Sequence, residues 1–362
     1  MENLNFYSQF YGILGIPIHA RYFADALIDK MQDSRLLQLT PPDPSLSGLV
    51  SSPHDGITQK LKDKMGSPIL DSTNLVFWYP QSYKQIPFGK GKRIGYYIFE
   101  YTKISKSIVE TINTLDAICT ASKWGVEQLK ANGVTIPCHV IPGGVDSSIF
   151  NSSKRNLDSK IFRFLHVGKK EERKGTDLLI RSFNKAFQGN RKVKLSLYID
   201  NPHVAGFNSE MYLHEIGKTL QFPYGNIDVL HFYHDITDVY AKHHCAVFPT
   251  RAEGIGLPIV EAMACGVPTI ASFNSGVTEF ATDKNAILLK NLKEMPVYDP
   301  VFFPVSGENG VWNTPTEEEL IEKMLWVYNN YGEASKIGDF AEKDLRDNYS
   351  WSLAAEKFKE IM

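Results

Sequence analysis

The sequence predicts an α/β fold of two domains, each built around a parallel sheet, and three observations carry that expectation. The chain has 362 residues with 43% apolar content, too long for one ordinary core and suited to two. Short apolar runs alternate with amphipathic segments along most of it, the pattern of βα units. A composition break falls near 150–160, where Pro142-Gly-Gly-Val-Asp146 gives way to the polar run Asn151–Lys160. Two domains imply a cleft between them.

In the first half, strands are expected at Leu4–Ser8, Leu36–Leu39, Leu75–Tyr79, Ile94–Phe99, Ala117–Thr120 and His139–Ile141. Helices fit between them at Ile16–Lys30 and at Lys123–Asn132, where Gly133 follows as a C-cap glycine would. Pro41 to Pro68, rich in Pro, Ser and Asp, reads as a long, partly irregular insertion.

A fresh strand at Phe162–Val167 opens the second half. The helix Thr176–Phe187 follows, with Leu179, Phe183 and Phe187 on one face. Strands are expected at Lys194–Ile199, Ile227–His231, Ala246–Pro249 and Pro268–Ser272, with helices at Ile236–His243 and Leu257–Cys265. The tail, Glu317–Asn329 and Ser335–Met362, reads as mostly helical, with no internal repeat.

Composition excludes several classes. Lys plus Arg total 39 and Asp plus Glu total 41, evenly spread between the halves, so neither half has the basic excess of a nucleic-acid binder. Lys84, Lys90, Lys92 and Arg93 do fall together. They read as a solvated loop, with peripheral contact to an anionic membrane as the alternative.

Cys119, Cys138, Cys245 and Cys265 lie in apolar segments without CxxC spacing, which predicts buried thiols in a reducing compartment, no disulfide and no zinc site. Glu2 stands where a signal peptide wants positive charge, and no apolar run approaches about 18 residues. A cytoplasmic location is expected.

The most informative segment runs from Phe248 through Pro-Thr-Arg-Ala-Glu253-Gly-Ile-Gly-Leu-Pro-Ile-Val-Glu261 to Gly266-Val-Pro268. It reads as strand, glycine loop and helix, with Pro258 in the first turn, where a missing N–H costs nothing. Backbone N–H groups of Gly254, Ile255, Gly256 and Leu257 then meet an anion at a helix N-terminus. Glu253 precedes the glycines and Glu261 is expected in the first helical turn, both facing one pocket and able to accept hydroxyl hydrogen bonds.

A second element, His166-Val-Gly-Lys-Lys-Glu-Glu-Arg-Lys-Gly-Thr-Asp177, would gather Lys169, Arg173 and Lys174 at the C-terminal end of a parallel strand, where open α/β sheets bind ligands. Each element alone has a plain structural reading, as a loop acid or a solvated charge run.

Together they resemble the retaining glycosyltransferases of family 4, over about Phe162 to Ser272 and weakly in the first half. That resemblance implies the GT-B fold, two Rossmann-like domains facing across a cleft: residues 1–155 on the acceptor side, 156–345 on the donor side, and 346–362 a helix packing back on the first domain. Its Glu, seven residues, Glu pattern falls on Glu253 and Glu261. Its Gly-Arg…Lys-Gly element falls on Gly168 and Lys174-Gly175, with Lys169 in the Arg position, which leaves the work shared between Lys169 and Arg173.

By the resemblance, Glu253, Lys174 and Arg173 serve catalysis. Glu261 holds ribose hydroxyls, and Gly254, Ile255, Gly256 and Leu257 touch sugar and phosphate. Gly15, closing Gly12-Ile-Leu-Gly15, approaches the diphosphate across the cleft. Apart from the resemblance, Glu100 follows the expected strand Ile94–Phe99 and reads either as an acid or base on the acceptor side of the cleft or as a structural residue. Pro142–Asp146 is similar to the family's hinge, and Trp351 to the Trp before its last helix.

The implied reaction moves a sugar from a nucleoside diphosphate sugar to the hydroxyl of a glycan, lipid-linked or protein acceptor, without a metal or other cofactor. No HExxH or Asp-x-Asp occurs, and His231, His234, His243 and His244 form no metal pattern. Alternatives are a GT-B sugar-nucleotide epimerase or phosphorylase, or a non-catalytic sugar-nucleotide-binding partner. A dinucleotide-dependent oxidoreductase fits poorly, since no G-x-G-x-x-G follows a strand.

Overall fold

The computed structural model describes residues 3–12, 15–31, 33–39, 57–86, 90–157, 160–204, 206–220, 226–231 and 235–362. Among these, two six-stranded parallel sheets form the frame. The first contains β1 (Leu4–Ser8), β2 (Ser34–Gln38), β3 (Thr73–Phe77), β4 (Arg93–Tyr96), β5 (Ala117–Thr120) and β6 (Cys138–Val140), in the order β2-β1-β3-β4-β5-β6. Helices α1 (Gly15–Lys30), α2 (Gln59–Lys62), α3 (Lys106–Ile112) and α4 (Lys123–Ala131) connect them.

The second sheet contains β7 (Phe162–Val167), β8 (Val193–Tyr198), β9 (Ile227–Leu230), β10 (Cys245–Phe248), β11 (Thr269–Ser272) and β12 (Ile287–Leu289). Their order is β12-β11-β10-β7-β8-β9, with helices α5 (Thr176–Phe187), α6 (Ser209–Leu220), α7 (Ile236–Ala241) and α8 (Leu257–Ala264). The order reverses beside β7, because β8 and β10 flank it. Ligands bind at such a switch point, outside the carboxyl ends of the strands.

The inner strands are apolar on both faces, as sheets covered by helices require. Ala117–Thr120, Cys245–Phe248 and Thr269–Ser272 are buried at every position. Each sheet has its own cores: Phe6, Phe23, Leu75 and Tyr96 belong to one in the first half, and Phe164, Phe183, Leu195 and Val247 to one in the second.

Three features lie beyond the two sheets. An antiparallel hairpin, β13 (Leu292–Pro296) and β14 (Val311–Pro315), leaves the second half. Its far end bonds to the first: Lys103 N–H donates to Asn309 O at 3.0 Å, Val311 N–H to Thr102 Oγ1 at 2.9 Å and Trp312 Nε1 to Glu100 O at 2.7 Å. Helices α9 (Glu317–Asn329) and α10 (Tyr331–Asn348) follow.

The last helix, α11 (Trp351–Lys359), packs along α1. Trp351 stacks on Tyr22 with ring centroids 5.8 Å apart, and Ala354, Ala355 and Phe358 join the core of the first sheet. Val145 N–H donates to Tyr349 O at 3.0 Å, so the 142–146 segment lies beside this return.

Some expectations need correction. Cys138 is only half-buried because it sits on edge strand β6, while Cys119, Cys245 and Cys265 are buried, all four as free thiols. Of the 41–68 stretch, residues 41–56 lie outside the described residues, and 57–68 carry the short helix α2. In the basic run, Lys92 donates to Ile361 O and Arg93 lies 3.7 Å from Asp116. Among the described residues no helix is long and apolar enough to cross a membrane.

Candidate active site

A cleft of about 760 Å³ opens between the carboxyl ends of the two sheets, within the size range of small-molecule sites. Gly254, Ile255, Gly256, Leu257 and Glu261 line it from one loop and helix, and Lys169, Arg173, Lys174 and Glu253 from the loops after β7 and β10. Gly15 and Glu100 line it from the first half. The candidate catalytic, donor-binding and acceptor-side residues therefore share one cavity. Ile13 and Leu14, between Gly12 and Gly15, lie outside the described residues.

The cavity's charge is concentrated in one ion-pair network. Lys174 Nζ lies 2.6 Å from Glu253 Oε1 and Arg173 Nη1 3.0 Å from Glu253 Oε2. Arg173 Nε also reaches Glu171 Oε2 at 2.7 Å, and Lys169 Nζ reaches Glu171 Oε1 at 2.8 Å. Glu100 joins from across the cleft, 3.7 Å from Arg173 Nη2.

Burial makes this network electrostatically strong. The Lys174 and Glu253 side chains are only 8% and 5% exposed. Burial pushes the Glu253 carboxyl up, but Lys174 and Arg173 outweigh it and hold it below the usual range. Glu171 behaves likewise: burial opposes ionisation, yet Arg173, Lys169 and Lys174 bring it down to about 2. Lys174 itself is lowered by burial and by Arg173, against the pull of Glu253.

Local structure fixes these groups. After β7 the chain makes a tight 3-10 turn, Glu172–Lys174, that ends on Gly175 at φ 68°. A Cβ at Gly175 would lie 2.2 Å from Pro249 O, so only glycine lets the turn close against the end of β10. Arg251 braces the same turn: its N–H donates to Arg173 O at 2.6 Å and its Nη2 grips both oxygens of Asp177 at 2.8 and 2.9 Å.

The Glu253 backbone is held by the turn after β11. Glu253 N–H donates to Ser275 Oγ at 2.8 Å, and Gly276 N–H to Glu253 O at 2.8 Å. Ser275 adopts φ 45° to do so, backbone strain at a site of the kind strain favours.

Helix α8 begins with Gly256 as its N-cap, in the left-handed conformation and without a side-chain cap. Its N-terminus therefore faces the cleft with the positive end of the helix dipole. Glu261 is the fifth residue of α8, not part of its first turn, which the helix range Leu257–Ala264 corrects. It is still buried at the cleft wall and accepts a hydrogen bond from Tyr240 Oη at 3.0 Å.

Residues that sequence reasoning missed are mostly braces: Glu171, Arg251, Asp177 and Ser275. Glu171 and Arg251 stand inside the two motifs, and their acid and base flanking the others was the available signal. Of the histidines, His243 is buried against Val239 O and Ser196, His231 bonds to Asp200 and His244 stacks on Phe162. His234 lies outside the described residues. Among the described residues, no group of three or more His, Cys, Asp or Glu is placed to hold a metal.

The fold is GT-B, with two Rossmann-like sheets and a cleft between them. Residues 161–296 match the family model of the glycosyl transferases group 1, and those residues carry the ion-pair network and the α8 loop. An uncharacterised glycosyltransferase of Methanocaldococcus jannaschii is 25% identical over 212 residues, 57% of this chain and 48% of that protein. A probable sucrose-phosphate synthase of Thermosipho melanesiensis is 24% identical over 62% of this chain and 46% of its own. The chain thus spans about half the length of these curated relatives. Among solved structures, HepE of Anabaena in complex with UDP and glucose aligns over 100% of this chain and 99% of its own, with TM-score 0.68 and 15% identity.

Proposed function

We propose that the chain is a retaining, family 4 type glycosyltransferase that moves a sugar from a nucleoside diphosphate sugar to an acceptor hydroxyl. The observation that carries this reading is the buried Lys174, Arg173 and Glu253 network facing the open N-terminus of α8 in one cleft. The group 1 match over the same residues supports it, as does a structural neighbour seen with UDP and glucose.

In this reading residues 1–155 form the acceptor domain and 156–345 the donor domain, with 346–362 returning to the first. The donor diphosphate lies against Lys174, Arg173 and Lys169 and the N–H groups of Gly254 to Leu257. Glu261 takes the ribose hydroxyls, and Glu253 faces the transferred sugar. As the bond from the anomeric carbon to the diphosphate oxygen breaks, charge builds on the diphosphate. Preorganised cations and the helix end stabilise that charge without reorganisation, so no metal is required.

The cations are neutralised by Glu253 and Glu171 before the donor arrives. Lys174 and Arg173 then exchange part of a carboxylate contact for a phosphate contact, which limits the cost of keeping them buried. The diphosphate oxygen left behind takes the proton of the acceptor hydroxyl on the same face, giving retention, while Gly15 and Glu100 close the cleft from the acceptor side.

The test is turnover and stereochemistry together. Lys174→Ala and Glu253→Ala are expected to lose most turnover with the circular dichroism spectrum kept. Proton NMR of the product in the presence of a chelator is expected to show the donor's anomeric configuration retained. Near-normal turnover in both variants, or an inverted product, overturns the reading.

A further inference from the structure

Resting on the glycosyltransferase reading, we propose that Tyr79 and Phe302, one from each half, form an aromatic subsite that binds a pyranose ring of a glycan acceptor. Both line the cleft, and both are unusually open for large aromatic side chains, Tyr79 at 50% and Phe302 at 38% exposure. Exposed aromatic surface in a mainly apolar cleft that carries a few placed polar and charged groups is the make-up of a ligand-binding wall.

Their position relative to the charged network assigns the ligand. Tyr79 follows β3 and lines the cleft together with Glu100, Glu171 and Arg173; burial, then the charges of Glu100 and Glu171, push its phenol up. The Phe302 ring lies 5.9 Å from Lys169 Nζ. Both rings therefore stand beside the group that holds Glu253. Glu261 belongs to a different neighbourhood, bonded to Tyr240 and close enough to perturb Tyr22. A donor whose ribose rests at Glu261 and whose sugar rests at Glu253 leaves the Tyr79 and Phe302 end for the second substrate.

The hairpin makes the placement of Phe302 reproducible. Its loop is pinned by Asp299, which accepts from Phe302 N–H at 3.1 Å and from Glu172 N–H at 2.8 Å. Thus the turn bearing Arg173 and Lys174 and the loop bearing Phe302 share one buried carboxylate. Phe303, the next residue, packs on Tyr101 and Trp312, so Phe302 is held out toward the cleft.

The chemistry of the wall favours a sugar over a lipid chain. A pyranose offers an apolar C–H face to an aromatic ring and hydroxyls at its edge. Glu100, Gln81 and Tyr79 line the same cavity and offer polar partners to hydroxyls that an acyl chain would not satisfy.

Two measurements separate this inference from the enzyme reading. Saturation-transfer NMR on the intact chain, irradiating aromatic protons, is read on methyl α- and β-glycosides of glucose, galactose, mannose and N-acetylglucosamine at millimolar concentration. Transfer to ring protons of at least one glycoside is expected, falling severalfold in Phe302→Ala and in Tyr79→Ala and retained in Phe302→Trp.

The second readout is donor hydrolysis without acceptor, expected within about twofold of wild type in both alanine variants while the acceptor KM rises tenfold or more. Absent transfer for the whole panel, or transfer undiminished in the double variant, overturns the subsite. A silent donor assay without donor-induced thermal stabilisation, beside positive, variant-sensitive NMR, would instead sink the transferase reading and leave the sugar site standing.

Discussion

Lys174 and Glu253 meet at 2.6 Å in the wall of the cleft, each almost wholly buried, although 79 positions separate them in the chain. Removing one partner strands the other's charge, which for a buried pair costs up to about 3–5 kcal/mol. Lys174→Met is expected near the lower end, because Arg173 still holds Glu253 at 3.0 Å. The double variant Lys174→Met with Glu253→Leu is expected to be more stable than Lys174→Met alone. Urea unfolding checks this; a double variant less stable than the single one contradicts it.

Acid stability has two predicted phases, both falling as pH falls. His19, His166 and His243 are held neutral by burial, with pKa values brought down to about 3, 4 and 4. Below about pH 6.5 the unfolded chain binds their protons first, so stability drops toward pH 4. Glu171, held down to about 2, contributes stability that is complete above roughly pH 4.5 and lost as pH falls toward its folded value.

The first phase has a specific test at His19. Among the described residues neither of its ring nitrogens has a hydrogen-bond partner, and its neighbours include Phe77, Tyr96 and Trp351. His19→Phe is expected to raise the urea midpoint and to shallow the slope between pH 6.5 and 4. Glu171→Gln is expected to flatten only the region below about pH 4.5. Midpoints that do not change over the whole range contradict both.

Gly276 is where the loop bearing Glu253 is most vulnerable. A Cβ there would sit 2.3 Å from Gly254 O and 2.7 Å from Glu253 O, a backbone clash that no rotamer relieves. With the donor site proposed above, Gly276→Ala is expected to weaken nucleoside diphosphate binding by tenfold or more in calorimetry while the first sheet's core is undisturbed. Wild-type affinity would show that the loop's position does not matter to the nucleotide.

Trp351 ties the chain's return to the first half. It stacks on Tyr22 and meets His19 edge to face at 4.7 Å. Trp351→Ala is expected to cost about 3–5 kcal/mol, as for other buried aromatic truncations, and thermal unfolding reads it directly.

Much of the frame was legible because its signals are local. Phe162–Val167 and Thr176–Phe187 are bounded in the structure as the apolar pattern predicts, since Gly168 and Gly175 punctuate them. Leu4–Ser8 and Ala117–Thr120 also match, while other strand ends moved by up to three residues, where propensity alone sets the boundary. The hairpin Leu292–Pro296 with Val311–Pro315 was missed: Lys293 and Glu294 are exposed, its partner lies 15 positions on, and its reason for pairing is contact with Thr102 and Lys103.

Site residues were legible where a motif concentrates charge beside glycine, as at Lys174 and Glu253. The helix starts at Leu257 as expected, and Glu261, its fifth residue, falls one residue past the first turn in which it was placed. Asp299 and Tyr79 were not readable, since their partners come from distant loops.

A donor site at Glu253 and Lys174 can be read from nucleoside diphosphate release over a panel of nucleotide sugars, with wild type and Glu253→Ala run side by side without added metal. Release from at least one donor is expected with the wild type, and loss of most of that release in the variant. Equal release by both proteins, or no release together with no donor-induced thermal stabilisation across the panel, would contradict it.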